Sequence, residues 1–278
     1  STKKQVTLAM AHFECKMTHV NLKSDMFSMV WPVFALDGKS KGTLDFSYKG
    51  VSIKIVPSVL GRATIKDKEI LIYCLSHIMA AKNAKLELSN TVRFNTYDLL
   101  KATGRGTSGK EYKLVEKALY RLTGTLITTD YKFNGRRFME SMGLIEGFKL
   151  IEGSGLSCWQ VTFPDWLIET VDDNDVLTLH DDYFQLSKPF DRRLYEVCRK
   201  RCGRPSKQVI KLDNLRERIG IRSSLSDLKK RLRKIEKILD YLLKVEGDSL
   251  FIFRDTESGR MELAKLNSEL FMKRINTG

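Results

Sequence analysis

Apolar and polar positions alternate over residues 27–56, a period of two that predicts strands of an antiparallel sheet. The dipeptides Asp37-Gly38 and Lys49-Gly50 cut this run and predict two hairpin turns, and Pro57 closes it. The period then lengthens. In DKEILIYCLSHIMAAKN, Ile70, Leu71, Cys74, Leu75 and Ile78 recur at helical spacing, which predicts a helix with one core face. A short strand, TVRFN, a short helix over residues 97–102 and the glycine-rich turn GRGTSG follow, and then a longer helix over about residues 108–122. Val115, Ala118, Leu119 and Leu122 mark the inner face of that helix and leave Lys110, Lys113, Lys117 and Arg121 on or near the opposite one. Strand-like segments LITTDYKFN, RRFMESMGLIEGFKLIE and CWQVTF come next, the first two joined at Asn134-Gly135 as a hairpin wing.

The same order recurs downstream. PFDRRLYEVCRKRC reads as a helix that stops before Gly203 and Pro205, and KLDNLRERIG as a second that ends on Gly220. After the turn IRSS, a helix over residues 225–243 is predicted, with Leu228, Leu232, Ile235, Leu239 and Leu242 on its core stripe and Ser226, Lys230, Arg233, Lys234 and Lys237 opposite. SLFIFRD and RMELAKL, separated by Glu257-Ser258-Gly259, supply a second wing. The repeated order predicts an α+β fold of two tandem winged-helix domains. A hairpin region over residues 1–63 packs on the first domain, 64–170, and an acidic linker over 171–187 leads to the second, 188–278.

Charge adds the nature of the partner. The formal net charge is +14, and residues 199–244 hold 16 Lys and Arg against 5 Asp and Glu, so a polyanion is favoured. No run of apolar residues is long enough to span a bilayer and the first residues open no signal sequence, so an intracellular, soluble chain is expected. Five cysteines without framework spacing read as free thiols in a reducing compartment.

An α-helix fits the major groove of duplex DNA, provided its outward face is polar and cationic. The candidate residues in the second domain are Arg222, Ser223, Ser224, Ser226, Lys229, Lys230, Arg233, Lys234 and Lys237, with the serines at the helix start donating to phosphate. In the first they are Ser108, Lys110, Lys113, Lys117 and Arg121, with Lys132, Arg136 and Arg137 beside the wing tip. No catalytic residue, metal or cofactor is expected. Residues 104–110 approach a phosphate-binding loop, but Glu111 stands where a Ser or Thr is needed and the loop follows a helix. His12, His19, His77 and His180 are scattered, Cys198 and Cys202 lack a companion pair, and the aspartates of 172–182 read as a solvated edge.

PSVLGRATIKDKEILIYCLS, SGKEYKLVEKALYRLTGTLI and DYFQLSKPFDRRLYEVCRKRCGR resemble the plasmid replication initiator protein A family over about residues 26–253. The resemblance implies a cytoplasmic protein that binds repeated double-stranded origin sequences, helps to melt an adjacent AT-rich tract and recruits a host helicase. It also implies a homodimer formed through the first winged domain, which would suit the apolar segment FSMVWPVF, and repression of the protein's own promoter. A two-domain transcriptional repressor that leaves the duplex paired is the alternative.

Overall fold

The computed structural model describes residues 13–14, 23–48, 51–172 and 176–277. The chain forms two compact units, one from the residues up to Met26 with Val33–Phe184, the other from Phe27–Pro32 with Gln185–Gly278. Both mix helices with sheets that are antiparallel apart from one short parallel pairing.

In the first unit the strands are β1 (Phe13–Glu14), β2 (Lys23–Asp25), β3 (Leu44–Tyr48), β4 (Val51–Val56), β5 (Thr91–Phe94), β6 (Leu126–Phe133), β7 (Arg136–Gly143), β8 (Gly147–Gly153), β9 (Leu156–Thr162) and β10 (Val176–Thr178). In chain order over both units, α1 is Met26–Val30, α2 Lys68–Asn83, α3 Thr96–Ala102, α4 Gly109–Gly124 and α5 Asp165–Asp172. One sheet has the order β1-β5-β9-β8 and another β3-β4-β6-β7. The apolar face of the first sheet is set by register: Phe94 lies opposite Trp159, and Trp159 opposite Leu150. Helix α2 runs through the centre and packs on β2, α3 and α5. The single core face expected of it becomes burial on nearly every side, with Tyr73, Ser76 and His77 inside beside the aliphatic stripe.

The second unit contains α1, α6 (Pro189–Arg201), β11 (Lys207–Lys211), α7 (Leu212–Ile219), α8 (Leu225–Leu232), β12 (Lys237–Ile238), β13 (Tyr241–Glu246), β14 (Ser249–Arg254) and α9 (Glu257–Thr277). Its sheet has the order β11-β14-β13-β12. Pro189 opens α6, and Gly220 closes α7 in the left-handed conformation at φ 81°, where a side chain would be strained. The two units therefore repeat one arrangement: helix, strand, helix, helix, then a hairpin. The strands take the order first, third, second, as β5-β9-β8 and as β11-β14-β13.

At the centre of the second unit is Arg193, 1% exposed. Its guanidinium donates to the carbonyls of Ser28 (2.9 Å), Met29 (3.1 Å) and Val30 (3.3 Å), to Arg218 O (2.6 and 2.8 Å) and to Glu196 Oε2 (3.0 Å). The last carbonyls of a helix lack partners of their own, so this cation holds the end of α1 in place. The Arg218 guanidinium stacks 4.2 Å from the Trp31 ring centroid, on the same segment.

Several expectations are corrected. The predicted turn at Lys49-Gly50 lies outside the described residues, and Asp37-Gly38 joins no strand pair because residues 26–30 are helical. FSMVWPVF is neither hairpin nor free surface: Met29, Val33 and Phe34 are buried. RRFMESMGLIEGFKLIE breaks into β7 and β8 around buried Leu144 and Ile145, at a turn so tight that a Cβ on Gly143 would meet Ile145 O at 2.5 Å. The stretch expected as a linker over 171–187 carries structure, since β10 pairs with β2 while Val171, Leu179 and Tyr183 are buried.

In the second unit the helix predicted over 225–243 ends at Leu232. Leu239 takes φ 50° in the turn between β12 and β13, and pairing of β13 with β14 outweighs the leucine spacing. RMELAKL lies in α9, not in a strand, and the hairpin is β13–β14.

Candidate nucleic-acid interface

Helix α8 is short but well defined. Ser224 caps it, its hydroxyl accepting from the Asp227 amide at 3.1 Å and donating to Asp227 Oδ2 at 2.7 Å. Leu228 and Leu232 anchor it in the core, which turns Ser226, Lys230 and Arg231 outward. Arg222 and Ser223 precede it in the exposed turn, and Arg233 and Lys234 follow as an exposed cap. Lys229 is half-buried and reaches Asp248 Oδ1 at 3.1 Å, tying α8 to the β13–β14 turn. Of the nine residues expected here, Arg222, Ser223, Ser226, Lys230, Arg233 and Lys234 are exposed and form no ion pair among the described residues. Ser224 and Lys229 carry structural bonds as well.

Lys237 departs from the expectation. It lies on β12, not on a helix, and donates to Asp255 Oδ2 at 2.5 Å, while Arg260 Nε reaches Asp255 Oδ1 at 2.7 Å. The hydrogen bonds from Arg260 and Lys237 hold the Asp255 carboxyl below the usual carboxylate range. Arg231, absent from the expected set, lies 3.6 Å from the Phe190 ring centroid. Its signal in the sequence was only position, one residue past Lys230.

Helix α4 presents Lys110, Lys113 and Lys117 together on its exposed side, with Ser108 at the N-cap. Arg121 is withdrawn from that row. It is 16% exposed and grips Asp67 with two bonds of 2.6 and 2.7 Å, and Asp67 Oδ2 also accepts from the Thr64 amide. An Arg fork on a buried carboxylate fixes the start of α2 and sets Arg121 apart from the exposed lysine row. Arg105 plays a comparable part: it binds Glu111 at 2.7 Å and nearly buried Glu69 at 3.3 Å, locking the turn between α3 and α4. Burial pushes the Glu111 carboxyl up, but the bond and charge of Arg105 leave it below its ordinary value.

The hairpin that follows α4 in the three-stranded arrangement is β8–β9, not β6–β7. Its tip passes through Ser154 (φ 51°) and Gly155 (φ 79°). This tip, the end of β5 and the starts of α3 and α4 line one cleft of about 700 Å³ in which Arg93, Tyr97 and Tyr112 stand. Tyr97 and Tyr112 are exposed, and neither was singled out from the sequence. Lys132, Arg136 and Arg137 sit on β6–β7, in the sheet of β3 and β4. There Arg137 binds Asp130 side-on at 2.5 and 2.8 Å, Lys132 lies opposite it in register, and the turn Asn134 (φ 49°)–Gly135 (φ 73°) closes the ribbon. Among the described residues no helix is long and apolar enough to cross a membrane.

A crystal structure of domains 2 and 3 of RctB superposes with TM-score 0.60 at 16% identity, covering 81% of this chain and 96% of that one. A second structure of RctB domains 2–3 gives TM-score 0.54 at 13% identity, covering 86% and 99%. At such identities the likeness is one of fold. A replication protein of Wigglesworthia glossinidia brevipalpis is 32% identical over 222 residues, 77% of this chain and 80% of that protein. The sequence model described as replication initiator protein A matches residues 23–241, and the chain belongs to that family of replication initiators.

Proposed function

We propose that each unit acts as a winged helix on double-stranded DNA, and that the chain initiates plasmid replication by binding repeated origin sequences through both. Helix α4 in one unit and helix α8 in the other each enter a major groove, and the hairpins β8–β9 and β13–β14 act as wings along the backbone beside them. The observation that carries this reading is the repeated element order with the same strand order in both units, each copy turning lysines or arginines outward from its last helix. Phosphate contacts from Lys110, Lys113, Lys117, Lys230 and Lys234 would set the affinity, and Arg233 or Ser226 at groove depth would discriminate bases. The ribbon β6–β7, with Lys132 and Arg136 near its tip, is a further arm for the backbone or minor groove. Opening of an AT-rich tract and recruitment of a helicase would follow binding.

The test is footprinting of DNA around the gene, with permanganate to detect unpaired thymines. Repeated protected sites and reactive thymines beside them are expected. Protection without reactive thymines would convert the reading to a repressor, and no protection would remove it.

A further inference from the structure

Helix α9 has two apolar faces. With about 3.6 residues per turn, Gly259, Glu262, Leu263, Leu266 and Leu270 fall within about 100° of arc, and these are its buried or half-buried positions, packed on its own sheet. Met261, Ala264, Ser268, Phe271, Met272 and Ile275 fall within a similar arc centred on the opposite side, and every one is exposed. The large members are 67% (Met261), 64% (Phe271), 55% (Met272) and 58% (Ile275) exposed. Scattered single apolar side chains on a surface are ordinary, whereas a continuous stripe over four turns marks a contact.

We infer that this stripe pairs with the same stripe of a second copy, as an antiparallel two-helix contact centred on Ser268. Three features favour a second copy over another occupant. When two such helices run antiparallel about Ser268, Met261 faces Ile275 of the other copy and Ala264 faces Met272, so apolar meets apolar along the whole stripe. The small residues Ala264 and Ser268 stand at the centre, where the backbones must come closest, and Phe271 has the space beside Ala264 to fill. The same register brings Lys265 on one flank of the stripe towards Glu269 on the same flank of the other copy, and the reverse, because like flanks meet in an antiparallel pair. A parallel pairing would bring unlike flanks together and leave Lys265 and Glu269 of the two copies on opposite sides of the seam. The contact is distinct from any dimer made through the first unit, since α9 lies beyond residues 23–241, where the family match ends.

The test uses the full chain without DNA, so its outcome does not depend on the duplex reading. Sedimentation velocity at rising concentration should show a species of twice 32.0 kDa, and Phe271→Glu or Ile275→Glu should abolish it with the helical circular dichroism unchanged. Lys265→Glu alone and Glu269→Lys alone should each weaken the dimer at least tenfold, and the double exchange should restore it. On mild oxidation Ser268→Cys should cross-link to itself above the background of the unsubstituted chain. Met261→Cys should cross-link only when mixed with Ile275→Cys, because only then do thiols face each other at bonding distance. A chain that stays monomeric, a dimer that survives Phe271→Glu, or Met261→Cys that cross-links to itself would each overturn the inference.

Discussion

Replacing Arg193 by Met removes a cation from the interior while keeping most of its hydrocarbon volume. Six donated bonds disappear, four of them to the chain segment 28–30 and Glu196 and two to Arg218 O. Glu196, 1% exposed, is left without this ion partner. Breaking a buried pair from one side typically costs about 3–5 kcal/mol. That is about a fifth or more of the total for a domain of ordinary stability. In a unit of about 100 residues each kcal/mol moves the midpoint by roughly 4–8 °C, so Arg193→Met should lower the midpoint of the second unit by at least about 12 °C. Differential scanning calorimetry of the full chain measures it, with hydrogen exchange over residues 27–32 reporting whether the segment has been released. Adding Glu196→Gln should recover part of the loss, because it neutralises the carboxylate that has lost this cation. A loss under about 1 kcal/mol, or a double variant no more stable than the single one, would refute the account of Arg193 as the group that holds α1.

Other outcomes follow from the same geometry. Ser224→Ala should cost about 1 kcal/mol of stability in the second unit, read by urea denaturation, since it removes the cap of α8. Lys230→Ala should weaken duplex binding and lower the slope of log K against log salt by about 0.9, whereas Lys237→Ala, already held by Asp255, should leave the slope unchanged; anisotropy titrations over a salt series decide. Arg121→Ala should destabilise the first unit by about 3 kcal/mol through stranded Asp67, with no change in the salt slope of binding. Burial lowers the pKa of His77, which stacks edge-on to Tyr73 with ring centroids 4.7 Å apart. The unfolded chain therefore binds a proton more readily there. That contribution is present above the ordinary value of 6.5 and is lost as pH falls below it. The melting midpoint of the first unit should drop between pH 7 and 5, and less so in His77→Phe.

The sequence carried the helices whose ends are marked by local chemistry. Pro189 opens α6 and Gly220 closes α7 because proline suits a first turn and glycine a left-handed cap, and both are properties of single residues. The end of α8 was not legible, because Ile235, Leu239 and Leu242 keep helical spacing beyond it. What stops the helix is the register of β13 on β14, a contact between residues that no local pattern reports. RMELAKL alternates like a strand because α9 has apolar residues on two opposite faces. Its turn from β14 is imposed by Gly259, where a Cβ would come within 1.9 Å of Arg254 O. Type and period placed Lys110, Lys113, Lys117, Lys230 and Lys234 on outward faces, and all five are exposed. Those two signals could not separate Arg121 and Lys237 from that group, because an acidic partner distant in sequence, Asp67 or Asp255, decides whether a cation faces solvent or an ion pair. The hairpin at Asn134-Gly135 forms as expected, but its strands complete the sheet of β3 and β4, a pairing with residues distant in sequence that no local pattern reports.

The central claim is that both units touch one duplex, the first through α4 and the second through α8. Hydroxyl-radical footprinting on a site protected by the full chain tests this directly, with Lys110, Lys113 and Lys117 all changed to Ala in one variant and Lys230, Arg233 and Lys234 in another. Two groove-spaced clusters of protection are predicted, one lost in each variant while the other persists. A single cluster lost equally in both variants, or protection indifferent to all six substitutions, would contradict it.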